Sequence, residues 1–336
     1  MLFEAKLKKT KDWSIPGIAF SVSRHAQTGK LFFGSSDFNV YEFDPASEKP
    51  EPLAFDGDGH QSYVTTVALI GNTLISGSYD GRLIWWNTAE RKHLRTQDAH
   101  SKWIRSIVAS HDGTLLASVA DDMTCKLWDA ETGELRLSFS DHKPVTEHGY
   151  PSMLYAVAIS ADNRLLASAD KPGFIIVREI ESGDTLATLH APIMYTWDPK
   201  ARRHSIGGIR SLAFSPDGTQ IAAGGIGTIG NIDHLGGNSR VEVFDWKSGE
   251  RLHELEDSKY KGLVERLEFH PEGRMLLTAG GDNGGFVSIY DLETGKIAGQ
   301  EQAPMHVHGH VLDGWKSLYT VGYGRIAAWT FDEKTH

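Results

Sequence analysis

One short pattern recurs along the whole chain. An apolar run that ends in a small hydroxyl residue is followed, about ten residues later, by a second apolar run that ends in an aromatic residue and an acid. Thr114–Ser118 is followed in this way by Cys125–Asp129, and Met275–Thr278 by Val287–Asp291. Self-similarity at this spacing is the signature of repeat proteins, whose units bury their apolar faces only against their neighbours.

The second runs close seven such units, at positions 44, 87, 129, 179, 245, 291 and 330. The apolar runs are four to six residues long, and glycine separates many of them. The chain contains 35 glycines among 336 residues, above the usual share of about 7%. Short apolar runs between turn residues indicate many short strands, so we expect an all-β fold.

The second and third units resemble repeats of the WD40 β-propeller family, in which each repeat has about 40–45 residues and each blade four strands. Each has a histidine before the blade, a serine in the second strand, an aspartate four residues later and a tryptophan that closes the third strand. These residues are His60, Ser76, Asp80 and Trp86 in one unit and His100, Ser118, Asp122 and Trp128 in the other.

The resemblance covers essentially the whole chain and implies one domain, 1–336, folded as a seven-bladed propeller of four-stranded antiparallel blades. The expected blades are approximately 15–55, 60–98, 100–140, 150–190, 205–256, 260–301 and 305–332. The last unit supplies only three strands, so we expect the N-terminal run 2–13 to provide its outer strand. That pairing would close the ring and remove an open sheet edge.

The resemblance also implies that the two histidine sets are structural tetrads, buried networks in which indole, hydroxyl, imidazole and carboxylate satisfy one another. The order imitates a catalytic triad, but it recurs in two blades, whereas an active site is normally unique. In later units Arg178, Phe244 and Tyr290 replace the tryptophan, and Pro172 and Gly284 stand where the aspartate is expected. We therefore expect those blades to depend on packing alone.

Charge and composition exclude several classes of protein. The net charge of −10 disfavours non-specific binding to nucleic acid or anionic lipid. No apolar stretch is long enough to span a membrane, and the charged run 1–9 does not look like a secretory signal. Cys125, the single cysteine, cannot form an internal disulfide and is expected to be a buried, inert thiol. We expect a cytoplasmic protein without cofactors.

Three insertions lengthen the repeats, at 141–152, 191–208 and 225–239, and the slightly long turn 280–285 accompanies them. In the propeller topology they should crowd one face around blades four to six, where they could bind a partner. Alternatively, their aromatic residues fold back as a small core that caps the channel. The glycine-rich third insertion indicates a flexible or hairpin-like extension rather than a phosphate cradle. The insertion residues proposed for partner binding are Tyr150, Met153, Met194, Tyr195, Trp197, Arg202 and Arg203.

The inner strands can be aligned to identify residues at the central channel mouth. Arg105 aligns with Thr65, Tyr155, Arg210, Glu265 and His308. Two arginines beside a tyrosine suit an acidic peptide, because guanidinium groups bind carboxylates through two parallel hydrogen bonds. The alternative is that the arginines pair internally, with Glu265 and with loop aspartates Asp37, Asp121 and Asp282.

A run of histidines, His306, His308 and His310, alternates near the C-terminal end. In a regular strand the three imidazoles would share one side and could bind zinc. Inner strands of the family often carry a bulge, however, which would break the alternation. A hydrolytic site would also need a general base such as Glu265 or Asp313.

The sequence therefore predicts a non-catalytic scaffold or adaptor, monomeric or part of a larger complex, that binds a protein or peptide on the face with the insertions. Two alternatives stay open. One is a metal-binding or hydrolytic propeller that uses the histidine run. The other is a small-molecule sensor in which the glycine-rich loop closes over its ligand.

Overall fold

A computed structural model describes residues 3–335, with side chains described for residues 6–331. This part of the chain is almost entirely antiparallel β-sheet, and its one helix is a 3₁₀ turn, Pro192–Met194. The prediction of an all-β propeller is confirmed. In the described residues no helix has the length and hydropathy needed to cross a membrane.

The strands follow one another along the chain with short connections. The first half contains β1 (Phe3–Arg24), β2 (Leu31–Ser35), β3 (Val40–Phe43), β4 (Leu53–Ala54), β5 (Val64–Ile70), β6 (Thr73–Ser78), β7 (Arg82–Asn87), β8 (Lys92–Asp98), β9 (Ile104–Ala109), β10 (Leu115–Ala120), β11 (Cys125–Asp129), β12 (Leu135–Phe139), β13 (Leu154–Ile159), β14 (Leu165–Asp170), β15 (Phe174–Glu179) and β16 (Thr185–His190). The second half contains β17 (Tyr195–Asp198), β18 (His204–Gly207), β19 (Ser211–Phe214), β20 (Gln220–Ile226), β21 (Asn238–Asp245), β22 (Arg251–Lys261), β23 (Leu263–Phe269), β24 (Met275–Gly281), β25 (Gly285–Asp291), β26 (Lys296–Ala303), β27 (Val307–Asp313) and β28 (Ser317–Thr335).

Consecutive strands form consecutive sheets. Five sheets have four strands each: β5–β8, β9–β12, β13–β16, β19–β22 and β23–β26. A sixth sheet has the order β27-β28-β1-β2-β3-β4, and a two-stranded hairpin, β17–β18, stands apart within the second insertion. Seven strands, which we call the inner strands, contact one another in cyclic order: β1, β5, β9, β13, β19, β23, β27 and back to β1.

The two ends of the chain lie side by side in the six-stranded sheet. Residues 3–14 of β1 pair antiparallel with residues 325–335 of β28. Leu2, the first residue of the predicted strand, lies outside the described residues. Farther along, residues 19–24 of β1 pair with β2 instead.

The hydrophobic core lies between neighbouring sheets. One cluster, for example, joins Ile75 and Trp85 of one sheet to Leu116 and Trp128 of the next. The Trp85 indole adds a polar link, because its Nε1–H donates to the Ala130 carbonyl at 2.8 Å. The strand faces are therefore apolar on both sides, which explains why alternation of polar and apolar residues is weak in the middle strands.

Polar networks brace three sheets from within. In the sheet β9–β12, His100 Nε2 lies 2.7 Å from Ser118 Oγ, which also accepts a hydrogen bond from Trp128 Nε1 at 2.8 Å. His100 Nδ1 donates to the Asp122 carboxylate at 3.1 Å. The same contacts join His60, Ser76, Asp80 and Trp86 in the sheet β5–β8.

The sheet β13–β16 corrects our expectation that its blade depends on packing alone. His142 Nδ1 lies 2.9 Å from Asp170 Oδ2, and His142 Nε2 lies 3.0 Å from Ser168 Oγ. The aspartate is thus Asp170, only two residues after the serine, and not at the position of Pro172. Arg178 occupies the tryptophan position and forms an ion pair with Asp141. Phe244 and Tyr290, at the corresponding positions of the next two sheets, are buried in apolar clusters.

Candidate functional site

A bulge in six of the inner strands carries one side chain into the channel. The pairing registers of β1, β5, β9, β13, β23 and β27 with their partners each skip one residue. A bulge re-aims the side chain of the extra residue, and this is why bulges are common next to functional sites. The skipped residues are Phe20, Thr65, Arg105, Tyr155, Glu265 and His308.

These six residues, together with Arg210, Tyr79 and Arg266, line a cavity of about 170 Å³ at the channel mouth. Arg210 directly precedes β19, where its amide donates to the Gly224 carbonyl. The structure thus brings together every mouth residue aligned from the sequence. It adds Phe20, Tyr79 and Arg266, which the alignment had not included.

Arg105 is already paired inside the protein. Its Nε and Nη2 donate to the two carboxylate oxygens of Asp121, both at 2.7 Å, and Nη1 donates to the Tyr79 hydroxyl at 2.6 Å. The expectation of internal pairing therefore holds for Arg105, and specifically for Asp121. Asp37 is not a partner, since it accepts a hydrogen bond from Tyr41.

Arg210 and Arg266 differ from Arg105, because neither forms an ion pair with a carboxylate in the described residues. The Arg210 guanidinium lies 3.7 Å from the centre of the Tyr155 ring, and its buried Nε has no hydrogen-bond partner among these residues. Arg266 Nη1 donates to the backbone carbonyl of Glu265, and burial lowers the pKa of Arg266. Burial, with Arg210 nearby, also lowers the pKa of Lys171 to about 8. The mouth therefore holds excess positive charge.

Glu265 is the carboxylate on the opposite side of the mouth. Its Oε1 lies 3.5 Å from His306 Nε2 and 4.0 Å from His308 Nδ1. Burial alone would raise the pKa of Glu265, but the adjacent imidazoles and Arg210 outweigh it and bring this pKa to about 2. Burial lowers the pKa of His308 to about 4.

His310 does not join its two neighbours, which corrects the expectation of three imidazoles on one side. The extra residue at His308 interrupts the alternation of β27. His310 Nε2 lies 3.3 Å from Glu268 Oε2, whereas the rings of His306 and His308 stack with centroids 4.2 Å apart. Glu265, named from the sequence as a general base, takes the place of His310 in the cluster.

Exposed aromatic rings, which sequence reasoning missed, continue from the mouth over the same face. Tyr63 contacts Phe20, Phe38 and Tyr79, and Tyr79 stacks on Trp103 with ring centroids 4.3 Å apart. Phe38, Tyr63 and Trp103 are exposed by 42–48%. All three lie in blade-to-blade connections or in turns between second and third strands. Their shared position in these connections and turns is the sequence signal that could have identified them.

The three insertions contact one another beside the mouth. The Tyr150 hydroxyl donates to the Asp198 carbonyl at 2.9 Å, and the Tyr195 hydroxyl donates to Thr146 Oγ1 at 3.0 Å. The second and third insertions meet where the Ile229 amide donates to Thr196 Oγ1 and where Arg202 pairs with Asp233. The turn 280–285 reaches the group through Gly262, whose amide donates to the Gly237 carbonyl.

Burial separates the insertion residues into core and surface. Met194 is fully buried in the core cluster between the sheets β13–β16 and β19–β22, so the expectation that it faces a partner is wrong. Met153 accepts a hydrogen bond from the Tyr155 hydroxyl. Trp197 is 42% exposed and stacks on His148 at 3.6 Å. Arg202 and Arg203 are exposed.

The glycine-rich insertion folds as an extension held by its isoleucines. Ile226 and Ile229 pack against Leu263 in a small satellite core, and the Gly227 amide donates to the Asn238 carbonyl. The sequence predicts a flexible or hairpin-like extension here, and residues 227–237 form turns and bends and contain no strand. The alternation of isoleucine with glycine therefore anchors the loop and is not a sign of a phosphate cradle.

An apolar cleft of about 480 Å³ opens between the first two insertions and the outer strands of the sheet β13–β16. Phe174 and His190, with stacked rings 4.1 Å apart, form one wall, and Tyr195 and Trp197 form another. Val145 on its rim is 52% exposed. The cleft offers a site for an apolar side chain of a bound molecule.

Comparison with known proteins agrees with this architecture. The family model described as "WD domain, G-beta repeat" matches residues 53–87, 91–129 and 199–228. A WD repeat-containing protein, SL1-17, from Schistosoma mansoni is 25% identical over 226 residues, covering 67% of this chain and 63% of the relative.

Two further relatives are each matched over a smaller share of their own length. Human apoptotic protease-activating factor 1 is 33% identical over 212 residues, which are 62% of this chain and 16% of that protein. Subunit I of eukaryotic translation initiation factor 3 from Candida albicans is 26% identical over 214 residues, 61% of this chain and 52% of the relative. The chain thus spans between about a sixth and two thirds of these relatives. The chain therefore contains WD40 repeats and is similar to WD repeat proteins.

Proposed function

We propose that the protein is a non-catalytic scaffold that binds a protein or peptide partner on the face that carries the channel mouth and the insertions. One observation supports this most directly. In the described residues, the phenylalanine, tyrosine and tryptophan side chains exposed by 36% or more are Phe38, Tyr63, Trp103, Phe174, Trp197 and Tyr323. Phe38, Tyr63, Trp103 and Trp197 lie in connections between sheets or between second and third strands, which emerge on that one face. Phe174 begins the third strand of its sheet, and Tyr323 lies beside the turn of β28 at Gly324. Exposed tryptophan and tyrosine are the residues that most often dominate binding energy at interfaces.

The charges at the mouth favour a partner with an acidic group. Arg210 and Arg266 lack carboxylate partners in the described residues, whereas Arg105 is neutralised by Asp121. A carboxylate of the partner could take the paired geometry that Asp121 takes on Arg105. The name of the Candida relative, a subunit of an initiation factor, describes a component of an assembly, and by analogy we place this chain in such a role.

The non-catalytic part of the proposal has its own support. The Ser–His–Asp arrangement occurs in three neighbouring sheets, and its serines are buried at 0–1% exposure. A nucleophile must reach its substrate. A triad that recurs in three adjacent sheets, and whose serine accepts a hydrogen bond from a tryptophan in two of them, is better explained as internal support.

We also propose that the six-stranded sheet comprises two blades, which makes seven blades in one domain. Both long strands contain a break that supports this division. β1 changes partner after a register shift between Ser14 and Ile18. β28 turns at Gly324, which has a positive φ, so that Trp329 Nε1 donates to Thr320 Oγ1 at 2.9 Å across the turn. An experimental density map that showed six equal blades would refute this division. A cytoplasmic, monomeric protein also remains a prediction.

The experiment that tests the function is affinity capture with matched surface variants. We expect the double variant Tyr63→Ala/Trp103→Ala to lose at least about tenfold in partner retention, because two hot-spot aromatic residues each contribute 1–2 kcal/mol or more. Arg210→Ala should also weaken retention and reduce its dependence on salt. Retention is measured by quantitative mass spectrometry of the eluted proteins.

Leu135→Ala is the control, since Leu135 is 49% exposed but lies on the outer strand β12, away from the proposed face. It should retain partners like the unmodified protein. Equal retention by the aromatic double variant, with its thermal unfolding unchanged, would contradict the proposed face.

A further inference from the structure

Three ligand-type side chains converge at one side of the channel mouth. The side-chain donor atoms of Glu265, His306 and His308 all lie within 4.8 Å of one another. Glu265 Oε1 is 3.5 Å from His306 Nε2 and 4.0 Å from His308 Nδ1. In a tetrahedral zinc site with bonds of about 2.0–2.1 Å, ligand atoms are about 3.3 Å apart. Small side-chain rotations would therefore close these distances.

The backbone holds this arrangement in place. Glu265 and His308 are the extra residues of bulges in the adjacent inner strands β23 and β27, so both side chains are turned toward the channel. His306 directly precedes β27, and its ring stacks on His308. A pre-formed constellation on strands loses less entropy on binding than ligands on mobile loops.

One ring nitrogen of His306 has no hydrogen-bond partner in the part of the chain that the structure describes and is therefore free to bind a metal ion. His306 Nε2 is buried and has no hydrogen-bond partner in the described residues, and it lies 3.5 Å from Glu265 Oε1. A buried polar atom without a partner is uncommon and costs stability unless a water or an ion satisfies it. A metal ion in contact with His306, His308 and Glu265 would satisfy it.

Arg210 and Arg266 line the same cavity and must be included in the charge balance. Two neutral imidazoles and one carboxylate leave a bound divalent ion with one net positive charge. The nearby guanidinium groups weaken binding of a cation, but they also attract an anion or a hydroxide to its remaining coordination position. This favours a site with three protein ligands and one exchangeable ligand over a closed structural site.

We propose that Glu265, His306 and His308 bind one zinc ion at the channel mouth, with a fourth position open to the channel. The inference does not depend on the exposed aromatic residues of the proposed scaffold function, but Arg210 and Arg266 line the cavity used in both proposals.

The test is metal binding by the full chain purified without a histidine tag. Calorimetric titration with zinc chloride should give one site per chain, and cobalt(II) should give the visible absorption bands of a low-symmetry site with nitrogen ligands. His306→Ala and His308→Ala should each lower the affinity by at least about 100-fold, because even changes to residues behind metal ligands cost 10–100-fold. His310→Ala is the matched control on the same strand, and it should bind zinc as the unmodified chain does.

Absence of one-to-one binding by the unmodified chain would overturn the proposal without any variant. An equal loss in His310→Ala, or an unchanged affinity in a folded His306→Ala/His308→Ala variant, would overturn it as well. Partner capture repeated with a chelator reports on the scaffold function separately.

Discussion

At the scale of single residues, the serine hydroxyl is the centre of each polar network. Ser118 Oγ contacts both His100 and Trp128, so one small side chain satisfies two buried rings. Its partners lie far apart in the sequence, and its removal leaves His100 Nε2 and Trp128 Nε1 without this acceptor. Buried groups that lose their partner cost more than the net worth of the bond itself.

We therefore expect Ser118→Ala to lower the free energy of unfolding by about 1–3 kcal/mol. Ser138→Ala, in the neighbouring outer strand, changes an exposed serine and should stay within about 0.5 kcal/mol of the unmodified protein. Urea unfolding followed by tryptophan fluorescence measures both. Equal stability of the two variants would show that the network contributes nothing to stability.

At the scale of strands, the bulges decide what the channel mouth presents. Each adds one residue to an inner strand, and that residue, from Phe20 to His308, faces the cavity. A regular strand at the same place would return the side chain to the interface between sheets. The mouth can therefore vary in chemistry from blade to blade without disturbing the core.

The strand pairing of the two chain ends is open to a direct test. Leu7 of β1 is 5% exposed and packs in a cluster with Trp329 and Phe331 of β28. Leu7→Ala should cost about 2–3 kcal/mol through lost burial and the remaining cavity, whereas Lys8→Ala, at an exposed neighbouring position, should cost almost nothing. Thermal unfolding of the two variants checks this. Similar unfolding temperatures would mean that the N-terminal strand adds little to the closed ring.

The sequence was sufficient to predict those parts of the fold that depend on the spacing of residues within one repeat. The positions of His100, Ser118, Asp122 and Trp128 followed from the repeat, and the structure joins them by hydrogen bonds. The prediction that the sheet β13–β16 has no such network was wrong. Its histidine, His142, comes from an insertion and cannot be aligned by spacing.

The site was less predictable for two physical reasons. A bulge changes the direction of every later side chain in its strand, so His310 could not be placed from alternation. Whether an arginine forms an internal ion pair depends on which carboxylate the fold brings near it. Arg105 and Arg210 look equivalent in the sequence, yet only Arg105 meets an aspartate.

At the scale of the whole molecule, several carboxylates stabilise the fold only while they are ionised. Burial alone would raise the pKa of Asp80 and Asp122, but hydrogen bonds from their histidines and from backbone amides outweigh it, and both pKa values lie below the ordinary value. Such groups stabilise the protein above the pKa of the unfolded chain, and this contribution disappears as pH falls through the folded pKa. Burial lowers the pKa of His100, so protonation of that ring acts in the same direction.

We expect the free energy of unfolding to decrease steadily as pH falls from about 6 to 3. The variant Asp80→Asn/Asp122→Asn should be less stable at neutral pH and should show a shallower decrease, because fewer linked protons remain. Asp58→Asn, at an exposed position, is the control and should keep the original slope. Denaturant titrations at several pH values supply the measurement, and parallel slopes for all three proteins would contradict the linkage.

The pairing of residues 3–14 with residues 325–335 has a consequence for biosynthesis. Ribosomes add about 5–20 residues per second, so the first strand waits roughly 15–65 s before its partner emerges. During that interval an unpaired edge is available to other nascent chains or to chaperones. Residues 3–14 are thus translated long before the residues with which they finally pair.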